Sequence, residues 1–278
     1  MARQKRGEFD EIGYWSEVKL DIIKKYAAAY SVILSKKRGL SHVYIDGFAG
    51  AGVHIARSSG EFVTGSPLNA LLVEPPFDEY FFIDLDGDKV EQLERLIGER
   101  RNVHLFHGDC NEVLMKEVFP RVRWEDFRRG LCLLDPYGLD LDWKVIKTAG
   151  TMRTIDLFLN FPVMDINRNA LWRAHARVSE RNRARMTRFW GDDGWKHIAY
   201  REEQTLFGPE LVKLDNRAVI QAFRKRLKDV AKFSFVPDPI PMHNNQGAEV
   251  YYLFFASQQP VAEKIVKEIF AKHRGGRS

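Results

Sequence analysis

Residues 42–52, His-Val-Tyr-Ile-Asp-Gly-Phe-Ala-Gly-Ala-Gly, join a short apolar run to a loop with glycines at 47, 50 and 52. A run of this kind, closed by glycines, suits a strand buried on both faces of a parallel sheet. The glycines permit tight turns and let backbone N–H groups approach a ligand closely. Four more apolar runs follow, at 79–86, 102–109, 130–138 and 154–162, the first three each trailed by a helical segment. Five strands alternating with helices predict a doubly wound, Rossmann-like α/β sheet of five parallel strands.

Outward from that frame, residues 15–35 carry Val18, Ile22, Tyr26, Ala29 and Ile33 at helical spacing, which predicts a helix ahead of the sheet. After the glycines a polar loop is expected to run to Gly65, and Ser66 and Pro67 then read as N-cap and first residue of a helix. The rhythm stops at Val163 and resumes near Asp215 with a helix over Arg217 to Val230. Two apolar runs, 234–242 and 249–258, are joined by a polar, glycine-bearing loop and predict a C-terminal antiparallel pair. A last amphipathic helix follows Pro260. The organisation expected is an N-terminal helical segment at 1–39, an α/β core from 40–163 and 215–278, and a basic helical insertion at 164–214.

Of 278 residues, 45% are hydrophobic and 29% charged, the balance of a globular chain with a sizeable core. No stretch approaches the roughly 20 apolar residues that span a bilayer, so the expectation is a cytoplasmic protein without a membrane partner. The two cysteines, Cys110 and Cys132, fall in or beside strands and read as buried thiols. His104 and His107 lie three apart on a strand and face opposite sides, so no metal site is expected.

The net charge of +5 is unevenly placed: Arg168, Arg173, Arg177, Arg181, Arg183, Arg185 and Arg188 face a single acid, Glu180. On one helix Arg173, Arg177, Arg181, Arg185 and Arg188 would line a face able to neutralise phosphates. Trp172, Phe189, Trp190 and Trp195 would offer stacking surfaces, which points to nucleic acid as a partner. The competing reading is a solvated helix, or a face that docks a protein.

The ends of the strands hold the chemistry, because ligands of open α/β sheets sit there. After the first strand the spacing is G-x-x-G-x-G with Asp46 at the tip, unlike the G-x-G-x-x-G of dinucleotide sites. It resembles the D/E-x-x-x-G-x-G motif of class I methyltransferases. That resemblance implies that Asp46, Gly47, Phe48, Gly50 and Gly52 wrap the amino acid part of S-adenosylmethionine. Asp84, ending the second strand, resembles the family's ribose-binding acid, with Asp86 as the fallback and Asp88 expected to cap the next helix. Gly108-Asp109, ending the third, resembles its adenine contact, with Cys110 alongside.

The fourth strand ends in Asp135-Pro136-Tyr137-Gly138. It is similar to the D/N-P-P-Y/F tetrad of methyltransferases that modify exocyclic amines of bases, but with the aromatic one place early, closer to the D-P-F-G of tRNA guanine-N2 methyltransferases. The resemblance implies that Asp135 and the Pro136 carbonyl accept the amine's hydrogens while Tyr137 stacks on the base. The same four residues also satisfy a β-turn. Tyr14, Trp15 and Lys19 on the first helix are candidates to cover the cofactor, and Asn160 to contact substrate.

Across nearly its whole length the chain resembles the three-Cys-motif partner protein family, through the WSEVKLDIIKKY helix, DGFAGAG, GSPLNAL, DPYGL followed by Trp143, and elements at 244–255. That resemblance implies a separately encoded partner with a three-cysteine motif. The functions open at this point are a nucleobase amine methyltransferase, a cofactor-binding subunit inactive alone, and a methyltransferase for a protein or small molecule.

Overall fold

Alternating side chains along the central strands feed two hydrophobic layers. Val43, Ile45, Phe81, Ile83, Cys132 and Leu157 point to one, and Tyr44, Tyr80, Phe82, Leu131, Leu133 and Phe158 to the other. Both faces are covered by helices, which is why these strands are apolar throughout. The computed structural model describes residues 10–171, 178–205, 208–213, 215–244 and 246–274.

In chain order, β1 (Glu11–Ile12) leads into α1 (Tyr14–Leu34), then β2 (Ser41–Asp46), β3 (Val53–Ala56), β4 (Phe62–Thr64) and α2 (Ser66–Leu71). Next come β5 (Glu79–Asp84), α3 (Gly87–Ile97), β6 (Val103–His107) and α4 (Cys110–Val113), which runs on through a π-helical and a 3₁₀ turn. They are followed by β7 (Arg128–Leu134), α5 (Trp143–Met152), β8 (Ile155–Phe161) and α6 (Val163–Asn169). After the basic segment's α7 (Glu180–Trp190), α8 (Trp195–Ala199), β9 (Tyr200–Thr205) and β10 (Gly208–Lys213), the chain closes with α9 (Asn216–Asp229), β11 (Ile240–His243), β12 (Glu249–Ala256) and α10 (Pro260–Arg274).

The central sheet has seven strands in the order β11-β12-β8-β7-β2-β5-β6. The five from β8 to β6 run parallel. The expected C-terminal pair does not stand apart: β12 pairs antiparallel with β8, so a single mixed sheet results. Its first strand is shorter than the 234–242 expected, because Pro237 and Pro239 lack the N–H a ladder needs. Only a bridge from Phe235 to Ser257 precedes β11.

Three further expectations are corrected. The loop between the glycines and Gly65 holds β3 and β4, which with β1 make a small second sheet. The insertion is not purely helical, since β9 and β10 form an antiparallel hairpin. Gly65, not Ser66, is the N-cap of α2, and the Ser66 hydroxyl is engaged elsewhere. Among the described residues no helix is long and apolar enough to cross a membrane.

Candidate functional site

The chain runs outward from β2 through β5 to β6, then returns to place β7 on the other side of β2. Strand order therefore reverses between β2 and β7, and the crevice beyond their carboxyl ends is where an open α/β sheet takes a ligand. A cleft of about 510 Å³ lies there, with Phe48, Ala49 and Gly50 on one wall and Asp135, Pro136, Tyr137 and Gly138 on another.

The glycine loop is tied to the strands on both sides of β2. Gly47 N–H donates to Leu133 O on β7 and Ala49 N–H to Ile83 O on β5, both at 2.9 Å. Gly50 N–H donates to Asp84 Oδ2 at 2.7 Å, and Asp86 N–H to Asp84 Oδ1 at 2.9 Å. Gly50 and Gly52 have φ of +64° and +81°, a region glycine enters without strain. A Cβ on Gly52 would also lie 2.6 Å from Leu93 Cδ1, a buried core atom. Gly52→Ala is expected to cost about 1–3 kcal/mol, read as a lower midpoint in chemical denaturation; an unchanged midpoint would refute the packing role.

Asp46 is fully buried. Its Oδ1 accepts from Phe48 N–H at 3.1 Å and its Oδ2 from the Ser66 hydroxyl at 2.5 Å. Burial pushes its carboxyl up to about 7, against the pull of those two donors. Asp46 therefore braces the loop from beneath, and Ser66 is what meets the cleft.

Asp84 is buried and Asp109 exposed at the neighbouring strand ends. Asp109 caps α4, its Oδ1 accepting from Asn111 N–H at 2.7 Å and Nδ2 at 2.9 Å. Asp86 caps α3 by accepting from Asp88 N–H, so the cap expected at Asp88 lies two residues earlier and Asp86 is occupied. Cys110 and Cys132 are buried and unbridged, and burial raises both thiols, which disfavours the thiolate.

Lys19 projects from α1 and forms an ion pair with Asp135 Oδ2. Burial alone would lower its ammonium, but Asp135 overcomes this and holds it well above the usual lysine value. Its charge also lies 5.2 Å from the Tyr251 ring. Tyr137 leaves its ring exposed at the cleft, 5.5 Å from the Lys89 ammonium. Tyr14 and Trp15 lie one hollow over, beside His243, and do not line the cleft.

Two cleft residues carry buried acceptors without a hydrogen-bond donor: Asn160 Oδ1 and Asp165 Oδ2. Such an atom costs about 1–3 kcal/mol unless something donates to it. Asp165 was not foreseen; it follows the Asn-Phe-Pro end of β8 on α6 and sits against Gly138, where a Cβ would come within 2.6 Å of Oδ2. His54, on β3, was missed too, and burial pushes its imidazole below the usual histidine value.

The basic segment differs from its expected form. α7 begins at Glu180, capped by Ser179, so only Arg181, Arg185 and Arg188 of the five-arginine stripe share it. Arg173, Arg177 and Trp172 lie outside the described residues. Arg185 pairs with Asp140 at 3.1 Å and Arg188 with Asp142 at 2.9 Å, which ties α7 to the loop after Gly138. Phe189, Trp190 and Trp195 are fully buried core residues and offer no stacking surface. Among the described residues no group of His, Cys, Asp and Glu could hold a metal ion.

No protein-family model matches the sequence, and none of the curated proteins does. Solved structures with a similar layout include a Legionella pneumophila protein, at 13% identity and TM-score 0.48 over 91% of each chain. A Listeria monocytogenes protein, provisionally assigned as an S-adenosylmethionine-dependent methyltransferase, aligns at 11% identity and TM-score 0.39 over 84% of this chain and 98% of its own. Aeropyrum pernix fibrillarin, solved with natively bound S-adenosyl-L-methionine, aligns at 9% identity and TM-score 0.33 over 84% of this chain and 76% of its own. With TM-scores under 0.5, the likeness decides neither activity nor substrate.

Proposed function

We propose that the chain is an S-adenosylmethionine-dependent methyltransferase whose acceptor is an exocyclic amine of a nucleobase in RNA or DNA. The observation that carries this reading is a row of four acids. Asp135, Asp46, Asp84 and Asp109 end β7, β2, β5 and β6, four neighbours in the sheet. Three strand spacings make the row about 14 Å long, a span suited to an elongated adenosyl amino acid.

The residues present fit that cofactor. Asp84 and Asp109 each keep acceptor capacity beyond their backbone bonds, for ribose hydroxyls and the adenine amine. Gly50 and its neighbours give a cradle that side chains would fill, while Ser66 and the orphan acceptors Asn160 and Asp165 face the end that would hold an ammonium. Cys110 contributes an apolar wall rather than a polar contact.

S-adenosylmethionine supplies an electrophilic methyl group on a sulfonium. Lys19 fixes Asp135 Oδ2, which leaves Oδ1 and the Pro136 carbonyl to accept the two hydrogens of an amine. That grip aims the nitrogen lone pair into the cleft, so positioning does most of the work. The exposed Tyr137 ring stacks on the base, and Asp135 Oδ1 stands ready for the proton shed after transfer. The 164–214 segment forms the substrate side, with Arg181, Arg185 and Arg188, and with Arg173 and Arg177, as phosphate contacts. Labelled S-adenosylmethionine incubated with RNA, DNA and protein pools tests the reading, and no transfer to any nucleic acid would overturn it.

Arg181 has no ion pair among the described residues, unlike Arg185 and Arg188. Arg181→Glu with Arg188→Glu is expected to weaken RNA retention at least tenfold at low salt, and to flatten its salt dependence. Retention that ignores the charge reversal would instead make α7 a protein-docking face.

A second reading rests on the Lys19–Asp135 pair, which already occupies half of the acceptor-side carboxylate. A cofactor-binding subunit that waits for a three-cysteine-motif partner would be held in this way. Calorimetry then shows cofactor binding by the chain alone, and transfer starts only when such a partner is added.

A further inference from the structure

At the opposite end of the sheet, by the amino ends of β7 and β8, lies a cavity of about 560 Å³. It sits between the last turns of α1 and the first turns of α10, with walls of Ile33, Leu34, Leu40, Val261 and Ile265. Its volume is that of a small-molecule site, and such sites are apolar with a few placed polar groups. The polar groups here are sorted by depth.

Asp156 lies in the floor, buried, with both oxygens engaged by Tyr26 Oη at 2.6 Å and Ser257 Oγ at 2.5 Å. Tyr30, also buried, makes no hydrogen bond through its hydroxyl among the described residues. The mouth is cationic: Lys37, Arg38, Arg129 and Arg153 line it, and none of the four is in an ion pair among the described residues. Arg129 instead stacks 3.7 Å over the ring of Trp124.

The rim is also unusual in its backbone and its exposure. Phe127 and Arg153 hold φ of +52° and +61°, in the left-handed region that side chains seldom adopt. Trp124, Phe127 and Val261 remain exposed around the opening. Strain and bare apolar surface at one place, with four uncompensated cations, are features that folding alone does not reward.

We infer that this cavity is a second ligand site, for a small amphipathic anion whose apolar body lies between α1 and α10 and whose acid group meets the four cations at the mouth. The orientation follows from charge. A carboxylate at the mouth finds Lys37, Arg38, Arg129 and Arg153, whereas one at the floor would face Asp156. Size favours an aliphatic or aryl carboxylate over a nucleotide, because the walls offer hydrocarbon and little for a polar ring.

Decanoate is the probe, with decanol and decyltrimethylammonium as the neutral and cationic counterparts, added to the full chain carrying anilinonaphthalene sulfonate as reporter. Decanoate is expected to displace the reporter at least tenfold more tightly than either counterpart. Lys37→Glu with Arg153→Glu, both exposed positions, should cut decanoate affinity about tenfold, a factor equal to about one charge-assisted contact. Ile265→Trp should block binding by filling the walls, and melting curves confirm that each variant is folded. Equal displacement by all three probes, or decanoate binding unchanged in the charge-reversed variant, would overturn the assignment. Displacement by acidic peptides but not by decanoate would also overturn it, in favour of a protein partner. The measurement uses no methyl donor, so its outcome is independent of the methyltransferase reading.

Discussion

Asp135→Ala is expected to lower methyl transfer by at least about 100-fold while changing cofactor affinity little, because the amine would lose its main acceptor and its aim. The same change leaves the Lys19 ammonium buried without its partner. Breaking a buried pair from one side costs more than removing both members, since the survivor remains charged and desolvated. With Asp135 itself partly exposed, a loss of about 1–3 kcal/mol is the scale to expect. Lys19→Met combined with Asp135→Leu should regain most of that stability and none of the transfer. Denaturant unfolding and single-turnover transfer measure the two effects separately. If Asp135→Ala transfers methyl groups at the wild-type rate, the tetrad is only a turn.

The second large effect is expected at Asp46, where stability and pH are linked. The folded carboxyl titrates at about 7, above its ordinary 3.8. Between those values the folded chain keeps a proton that the unfolded chain has released, so stability falls as pH rises through this window and levels off above it. Fully expressed, the shift corresponds to about 4 kcal/mol, an order of magnitude set by burial. Asp46→Asn keeps the shape and removes the titration. The variant should therefore be more stable than wild type at pH 8 and little different at pH 4. Asp156, raised to about 6 by burial, adds a smaller slope of the same sign that the variant retains. Melting curves across this range decide the matter: a wild type as stable at pH 8 as at pH 5 would show that Asp46 is not buried as a neutral acid.

The two effects bear on different parts of the proposed chemistry. Asp135 meets the cleft and answers to the acceptor, whereas Asp46 lies under the glycine loop and answers to the loop's shape. An ammonium bound near Ser66 would favour the charged form of Asp46. Cofactor binding below pH 7 would then release a proton, visible as a buffer-dependent heat.

Much of this was legible in the chain because it is local. Four of the five parallel strands are apolar runs with an acid at the end, and the unusual φ at Gly50 and Gly52 belongs to a loop whose spacing is plain in residues 46–52. β9 and β10 were missed because the polar run from Tyr200 to Thr205 carries no apolar stripe to betray a strand. β3 and β4 were missed because three or four residues are too few for a period to show.

The aromatic residues of α7 and α8 misled for a further reason: beside arginines they read as stacking surface, but a tryptophan's apolar area is worth more in the core than on a groove wall. Nor could spacing reveal that Asp86 rather than Asp88 caps α3, since either acid satisfies the same turn.

By itself, then, the sequence determined that acids and glycines stand at the ends of buried strands, because burial and turn geometry are properties of a few neighbouring residues. Only the tertiary structure decided which strand ends are neighbours, that Lys19 reaches Asp135 across 116 residues, and that Asp46 is sealed beneath the loop it appeared to arm. Those outcomes depend on strand order and on how helices pack across the sheet, and such contacts leave no periodicity in the chain.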